Sequence, residues 1–215
     1  MDKKMGQYFD YALLKAAATY EEFEKFCAEG IKYNVKMLAI NPSAVAYCVR
    51  QVAGKIGVGA AVGFPLGQNT IETKLYETER ALSEGANEID YVINLTELKS
   101  KNYTHIEKEM SAITNACRKV GAVSKVIFEN CYLTDDEKIK LCEIANIVKP
   151  DFVKTSTGFG TGGATVRDIQ LMRKHTTLEI KASGGIQTWA DADALIKAGA
   201  TRIGTSNISA ILGAG

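Results

Sequence analysis

Eight short apolar runs, separated by segments with helical patterning, constrain this chain more than any other feature of its sequence. The runs predict strands over 8–14, 36–40, 56–64, 88–93, 124–129, 151–154, 178–182 and 201–204. Several are rich in Val and Ile, with Asp90 the exception inside 89–93, and such runs suit strands buried on both faces of a parallel sheet. Between them, Thr19-x-x-Glu22, Asn69-x-x-Glu72, Thr104-x-x-Glu107 and Thr134-x-x-Glu137 read as capping boxes or close relatives. In each, a side-chain oxygen takes an orphan N–H of the first helical turn while the later carboxylate reaches back. Thr165-x-x-Asp168 and Thr188-x-x-Asp191 are weaker versions. One-sided apolar stripes follow the caps: Phe23, Phe26, Cys27 and Ile31 in one, Ile106, Met110, Ile113 and Cys117 in another. The three prolines, Pro42, Pro65 and Pro150, sit at element edges, and no linker divides the 215 residues. The pattern predicts an α/β fold, a single (β/α)8 TIM barrel spanning 1–215, with a doubly wound open sheet as its rival.

With 46% hydrophobic and 24% charged residues, the chain can bury a sizeable core and is not of disordered composition. Its 26 basic and 25 acidic residues leave a formal charge of +1, so bulk electrostatics give no reason to bind nucleic acid or an anionic membrane. No window approaches the roughly 18 consecutive apolar residues of a membrane span. The opening Met1-Asp2-Lys3-Lys4 leads into no signal-peptide core. Five cysteines, with no Cys-x-x-Cys spacing, predict reduced and mostly buried thiols in a soluble, cytoplasmic protein. Cys131 follows a strand and is a weaker candidate for lining a site. Only His105 and His175 are available for a zinc site or a serine-type triad, and both are expected at the surface. No metal or cofactor is expected.

In a barrel of this kind, chemistry gathers where strands end and βα loops begin. Three charges stand there against apolar surroundings: Asp90 in Glu88-Ile89-Asp90-Tyr91-Val92-Ile93, Lys154 closing Asp151-Phe152-Val153-Lys154, and Lys181 in Leu178-Glu179-Ile180-Lys181-Ala182. One such lysine alone reads as well as a solvated strand end or a buried ion pair. Two at corresponding positions on neighbouring strands approach each other in the barrel mouth, where burial and like charge both disfavour the ammonium form. An amine that is neutral at working pH attacks carbonyls and forms a Schiff base. Gly184-Gly185 after the seventh strand and Gly204-Thr205-Ser206-Asn207 after the eighth stand where such barrels bind phosphate, although simple turn chemistry also accounts for a Gly-Gly pair. Gly158-Phe159-Gly160-Thr161-Gly162-Gly163 fits a dinucleotide fingerprint, with Glu179 near the expected distance for a ribose-binding acid. Glu179 starts its strand instead of ending it, however, and that reading leaves both lysines without a role. Glu129 and Asn130 end the fifth strand; contact with a polar ligand and a charge satisfied at the barrel mouth account for them equally well.

Lys154-Thr155-Ser156-Thr157-Gly158-Phe159 resembles the Schiff-base segment of the deoxyribose-phosphate aldolases, the DeoC-type class I aldolases. Val62-Gly63-Phe64-Pro65-Leu66-Gly67, the Asp90 strand through Asn94, Gly160-Thr161-Gly162-Gly163-Ala164-Thr165-Val166 and Lys181-Ala182-Ser183-Gly184-Gly185-Ile186 resemble that family in the same order. The resemblance implies that Lys154 is the Schiff-base nucleophile. It makes Lys181 the second lysine, which keeps Lys154 deprotonated, and gives Asp90 a part in proton movements with Lys181 and an ordered water. It assigns Gly158, Gly184, Gly185, Gly204 and Ser206 to the substrate phosphate. The implied reaction is reversible cleavage of the phosphosugar 2-deoxy-D-ribose 5-phosphate into D-glyceraldehyde 3-phosphate and acetaldehyde, in deoxyribonucleotide catabolism. Members are often dimers, so a homodimer is among the assemblies the resemblance allows. A related lyase for another phosphorylated aldehyde, and a catalytically silent phosphosugar-binding barrel, are the alternatives.

The chain departs from the family pattern at four places. Asp10-Tyr11-Ala12-Leu13-Leu14 replaces the usual Asp-His-Thr-Leu-Leu, Ala39 stands where many members have cysteine, and Asn207 replaces a frequent second serine or small residue. The sequence ends Ile211-Leu212-Gly213-Ala214-Gly215, whereas members often continue, some to a tyrosine implicated in proton transfer.

Overall fold

Strand and helix alternate eight times in the computed structural model, which describes residues 5–213. β1 (Phe9–Leu13), α1 (Tyr20–Lys32), β2 (Met37–Ile40), α2 (Val45–Val52), β3 (Gly57–Val62) and α3 (Ile71–Ser83) come first. β4 (Glu88–Val92) is followed by a short α4 (Leu95–Lys99) and the longer α5 (Tyr103–Lys119), then β5 (Val123–Ile127) and α6 (Asp135–Val148). β6 (Phe152–Lys154), α7 (Val166–His175), β7 (Glu179–Ser183), α8 (Trp189–Lys197), β8 (Arg202–Thr205) and α9 (Ile208–Leu212) follow. The strands pair in chain order, all parallel, and β8 returns to β1, with Phe9 opposite Ile203 and Tyr11 opposite Thr205. The sheet is therefore a closed barrel, and the open-sheet rival is excluded.

Helix starts follow the sequence chemistry with two corrections. Thr19, Thr134 and Thr188 close full capping boxes with Glu22, Glu137 and Asp191, and Thr165 accepts from Asp168 N. The third helix is capped by Thr70 accepting from Thr73 N, not by Asn69. The fifth is capped by Asn102 accepting from His105 N, not by Thr104. There the chain turns directly out of α4 through Lys101, whose φ is 59°, and is already helical when it reaches Thr104. The short helices α4 and α9 have too few residues to show a period.

Period-two alternation divides each strand between two environments. Leu38, Ile40, Val58, Ala60, Ile89, Tyr91, Val126, Val153, Ile180 and Ile203 join the apolar layer between barrel and helices. The alternate positions form the barrel interior, and much of that interior is charged: Asp10, Glu88, Asp90, Lys125, Lys154, Lys181 and Arg202 are all buried. Burial on both faces explains why the strand runs read as largely apolar, and within the observed strands the charges stand only at positions of inward parity.

One polar feature of the outer layer bears on the site. Lys74 on α3 and Glu109 on α5 are fully buried, with Nζ 2.5 Å from Oε1. Lys74 Nζ also donates to the Val92 carbonyl (2.7 Å), and Glu109 Oε2 accepts from Asn94 N (2.9 Å). The pair fastens two helices to the C-terminal end of β4, the strand that carries Asp90. Burial moves both groups towards their neutral forms, lowering the pKa of Lys74 and raising that of Glu109 against their mutual attraction.

Candidate active site

A cavity of about 490 Å³ opens at the C-terminal end of the barrel, the end to which every strand points its βα loop. Its floor is formed by Lys154, Lys181 and Asp10, and its wall includes Ala12 and Ala39. Gly158, Gly184, Gly185, Gly204 and Ser206 line it nearer the mouth. The sequence-predicted residues are thus brought together around one cavity, apart from Asp90, which lies beneath the two lysines and bonds to both.

The strand register explains this convergence. Lys154 on β6 lies opposite Lys181 on β7, and Asp90 on β4 lies opposite Lys125 on β5. All four side chains point inward and none is more than 4% exposed. Asp90 Oδ2 accepts from Lys154 Nζ at 2.7 Å and from Lys181 Nζ at 2.6 Å, and Oδ1 accepts from Lys125 Nζ at 2.7 Å. Lys181 Nζ also pairs with Asp10 Oδ2 (2.5 Å), and Arg202 bridges Asp10 Oδ1 (2.5 Å) to Glu88 Oε2 (2.8 Å). Lys125 pairs with Glu88 as well, and Arg202 and Lys125 lie over the Phe152 ring, 5.4 and 5.9 Å from its centroid.

Sequence reasoning missed Lys125 and Arg202, and it met Glu88 and Asp10 only as parts of motifs. Their signal was available: each has the inward parity of its strand, as Asp90 does. A lone charge in an apolar run is, however, more often a solvated strand end, and only barrel closure turns these charges towards one another.

The electrostatics follow from a count. Three carboxylates (Asp10, Glu88, Asp90) face four cationic side chains (Lys125, Lys154, Lys181, Arg202), all of them buried, with Asp10, Lys154 and Lys181 at the floor of the cavity. Burial lowers the pKa of Lys154 to about 8; the Asp90 carboxylate opposes that shift, while Lys181 and Lys125 reinforce it. For Lys125 the penalty of burial is outweighed by Asp90, Glu88 and Asp10, and its pKa rises above the ordinary lysine value. Asp90 goes the other way from what burial alone would do, because Lys125, Lys154 and Lys181 hold it well below the usual carboxylate range. The neutral form of Lys154 is thereby made more accessible, and its deprotonation leaves three carboxylates facing three cations.

Backbone geometry shapes the mouth. Gly184 has φ 86° and faces the Cα atoms of Gly163 (3.0 Å) and Gly158 (3.4 Å) from where a Cβ would stand, so a side chain there would separate the loops after β6 and β7. A Cβ on Gly204 would lie 2.8 Å from Ser183 Cβ and 3.2 Å from Lys181 Cε, so this glycine leaves room for the lysine. The glycines of 158–163 therefore serve loop packing across the mouth. The next helix starts only at Val166, which removes the strand–turn–helix context a dinucleotide fingerprint needs.

Of the two readings open for Glu129, the structure favours a charge satisfied at the mouth: with φ 58° it turns inward and accepts from Thr157 N (3.1 Å) and from Thr157 Oγ1. It holds the loop that follows Lys154. Cys131 is outside the cavity lining, with Sγ directed at Glu129 Oε1 (3.9 Å). His175 is exposed as expected, whereas His105 is half-buried and its Nε2 is enclosed.

A closed barrel with paired lysines at the floor of such a cavity is suited to carbonyl chemistry through an amine, and comparison with known proteins gives the family. Residues 2–212 match the model of the DeoC/LacD family aldolases, and the chain belongs to that family. A deoxyribose-phosphate aldolase of Lactobacillus acidophilus is 52% identical over 204 residues, covering 94% of this chain and 86% of that protein. One from Bacteroides thetaiotaomicron is 48% identical, covering 95% of this chain and 87% of that one. Among solved structures, the tetrameric deoxyribose phosphate aldolase of Aeropyrum pernix superposes with a TM-score of 0.90 at 29% identity, covering 98% of this chain and 90% of that one.

Proposed function

We propose that this chain is a class I aldolase that reversibly cleaves 2-deoxy-D-ribose 5-phosphate into D-glyceraldehyde 3-phosphate and acetaldehyde, with Lys154 as the Schiff-base nucleophile. The observation that carries the reading is the environment of Lys154: a buried amine with pKa lowered to about 8, open to the cavity and beside a second lysine on the same carboxylate.

Neutral Lys154 attacks the aldehyde carbon of the open-chain sugar, and loss of water from the adduct gives a protonated imine. That cation draws the electrons of the bond one carbon further along. As the hydroxyl on the far carbon gives up its proton, the bond breaks, D-glyceraldehyde 3-phosphate leaves, and an enamine remains on Lys154. Protonation of the enamine carbon and hydrolysis of the imine release acetaldehyde and restore the amine. Each proton transfer needs a group beside the reacting carbons, and the Lys181–Asp90 pair is within hydrogen-bond reach of Lys154. Lys125 and Arg202 keep Asp90 and Asp10 paired, so the anionic side of the cluster stays fixed while Lys154 changes charge. The phosphate sits at the mouth on the backbone of Gly158, Gly184, Gly185, Gly204 and Ser206, remote from the bond that breaks, and orients the sugar over Lys154. Ala12 and Ala39 leave an apolar wall beside the lysines, which suits the methyl end of acetaldehyde. The five free thiols suit a reducing compartment, and we place the enzyme in the cytoplasm. No helix among the described residues is long and apolar enough to cross a membrane.

The decisive experiment is borohydride trapping with deoxyribose 5-phosphate, followed by peptide mapping. A reduced adduct on Lys154, absent from Lys154→Ala, is the expected result. An adduct on Lys181 reverses the assignment of the two lysines, and no adduct on a folded, phosphosugar-binding protein overturns the catalytic reading.

A further inference from the structure

The phosphate end of the cavity lacks a cation of its own in the walls that follow β7 and β8. Those walls run through Ser183, Gly184, Gly185, Ile186 and Gln187 and through Gly204, Thr205 and Ser206, with no basic side chain among them. Lys154 and Lys181 lie at the floor, buried and bound to Asp90 and Asp10. A phosphate monoester carries about −1.5 to −2 charges near neutral pH. Neutral donors hold such a group more weakly than charge-assisted bonds do.

One further cation lines the cavity. Lys15 lies two residues beyond the end of β1, and β1 is hydrogen-bonded to β8 with Tyr11 opposite Thr205. The chain therefore leaves the barrel at Lys15 next to the Ser206 loop, on the phosphate side of the mouth. The Lys15 side chain is 51% exposed and its ammonium is paired with Glu22 Oε1. Glu22 is tied down by its other oxygen, Oε2, which accepts from Thr19 N (2.9 Å) in the capping box of α1. The carboxylate is thus fixed in place by a helix start, whereas the lysine is long, half-exposed and free to exchange partners at small cost.

We infer that Lys15 is the specificity-determining cation for the substrate phosphate, held at rest by Glu22 and transferred to the phosphate when the sugar binds. The inference rests on the proposed phosphosugar reading, and it adds a residue and a resting contact to that site. It gives Glu22 two tasks that can be separated, because glutamine also serves at the third position of a capping box. Glu22→Gln keeps the cap and removes the charge that competes for Lys15.

The test compares deoxyribose 5-phosphate with unphosphorylated 2-deoxyribose for the wild type, Lys15→Gln and Glu22→Gln. The loss in Lys15→Gln should fall on the phosphorylated substrate: its KM rises by about tenfold and the preference for it over 2-deoxyribose drops by a similar factor. In Glu22→Gln, KM for the phosphorylated substrate should fall by about two- to fivefold, an effect that added salt diminishes. Equal losses on both substrates in Lys15→Gln, or an unchanged KM for the phosphorylated one, overturn the inference. Titration of inorganic phosphate into each protein gives a second readout that needs no turnover: weaker binding to Lys15→Gln supports the assignment and equal binding refutes it. Borohydride trapping with acetaldehyde keeps the two proposals apart. An adduct on Lys154 in Lys15→Gln shows an intact catalytic floor, whereas a wild type without adduct sinks the Schiff-base reading and leaves phosphate titration to decide the role of Lys15.

Discussion

Replacing Lys181 with methionine removes a positive charge from beside Lys154 while nearly preserving side-chain volume. The two ammonium nitrogens share Asp90 Oδ2, at 2.7 and 2.6 Å, and so lie within about 5 Å of each other. At an effective dielectric constant of about 20, two unit charges at that separation repel by about 3 kcal/mol, equivalent to about two pH units. The substitution also leaves Asp90 Oδ2 with Lys154 as its one remaining ammonium partner, which strengthens its hold on the protonated form. Both effects have the same sign. With its pKa near 8, Lys154 is neutral in about one molecule in ten at pH 7. An ordinary lysine at that pH is neutral in only about one molecule in three thousand. In Lys181→Met the neutral fraction should fall by up to about a hundredfold at pH 7 and recover at about pH 10. The assay is the initial rate of borohydride-trapped imine on Lys154 between pH 6 and 11, read by mass spectrometry, with circular dichroism confirming the fold. An upward move of the midpoint, with recovery at high pH, is expected. An unmoved or lowered midpoint refutes the coupling, and a loss that persists at every pH gives Lys181 a role in proton transfer alone.

Two further outcomes follow from the same contacts. Glu129→Gln exchanges an acceptor for an amide group at the two Thr157 donors; it should cost about 1–3 kcal/mol in denaturant unfolding and raise KM for the phosphorylated substrate, because the loop after Lys154 loses its anchor. An unchanged stability would show that Thr157 finds other partners. Burial would raise the pKa of Asp10, but Lys181, Lys125 and Arg202 together hold it below its ordinary 3.8, so its stabilising contribution is complete above that value and drains away as pH falls below it. The stability difference between pH 7 and pH 3 should therefore be smaller in Asp10→Asn than in the wild type, and a difference of equal size would remove Asp10 from the acid response.

The order of elements was legible because its causes are local. Each strand run is flanked by turn or capping chemistry, and Thr19-x-x-Glu22, Thr134-x-x-Glu137 and Thr188-x-x-Asp191 start helices through bonds spanning three residues. At the third and fifth helices the spacing rule picked Asn69 and Thr104 but the caps are Thr70 and Asn102, because the start depends on how the preceding loop enters, which a spacing rule does not contain. The lysine motif, the glycines after β7 and β8, and Asp90 were also visible, as exceptions within otherwise regular segments. Tertiary structure alone decided how the inward charges connect. Asp10 and Arg202 are 192 residues apart, and Asp90 and Lys181 are 91 apart, yet each pair shares a hydrogen bond inside the closed barrel. The sequence by itself determined the periodicity, the caps at Thr19, Thr134, Thr165 and Thr188, and which strands carry a charge. Closure of β8 on β1 decided that those charges face one another inside the barrel, where burial, reinforced by Lys181 and Lys125, lowers the pKa of Lys154 to about 8 against the pull of Asp90.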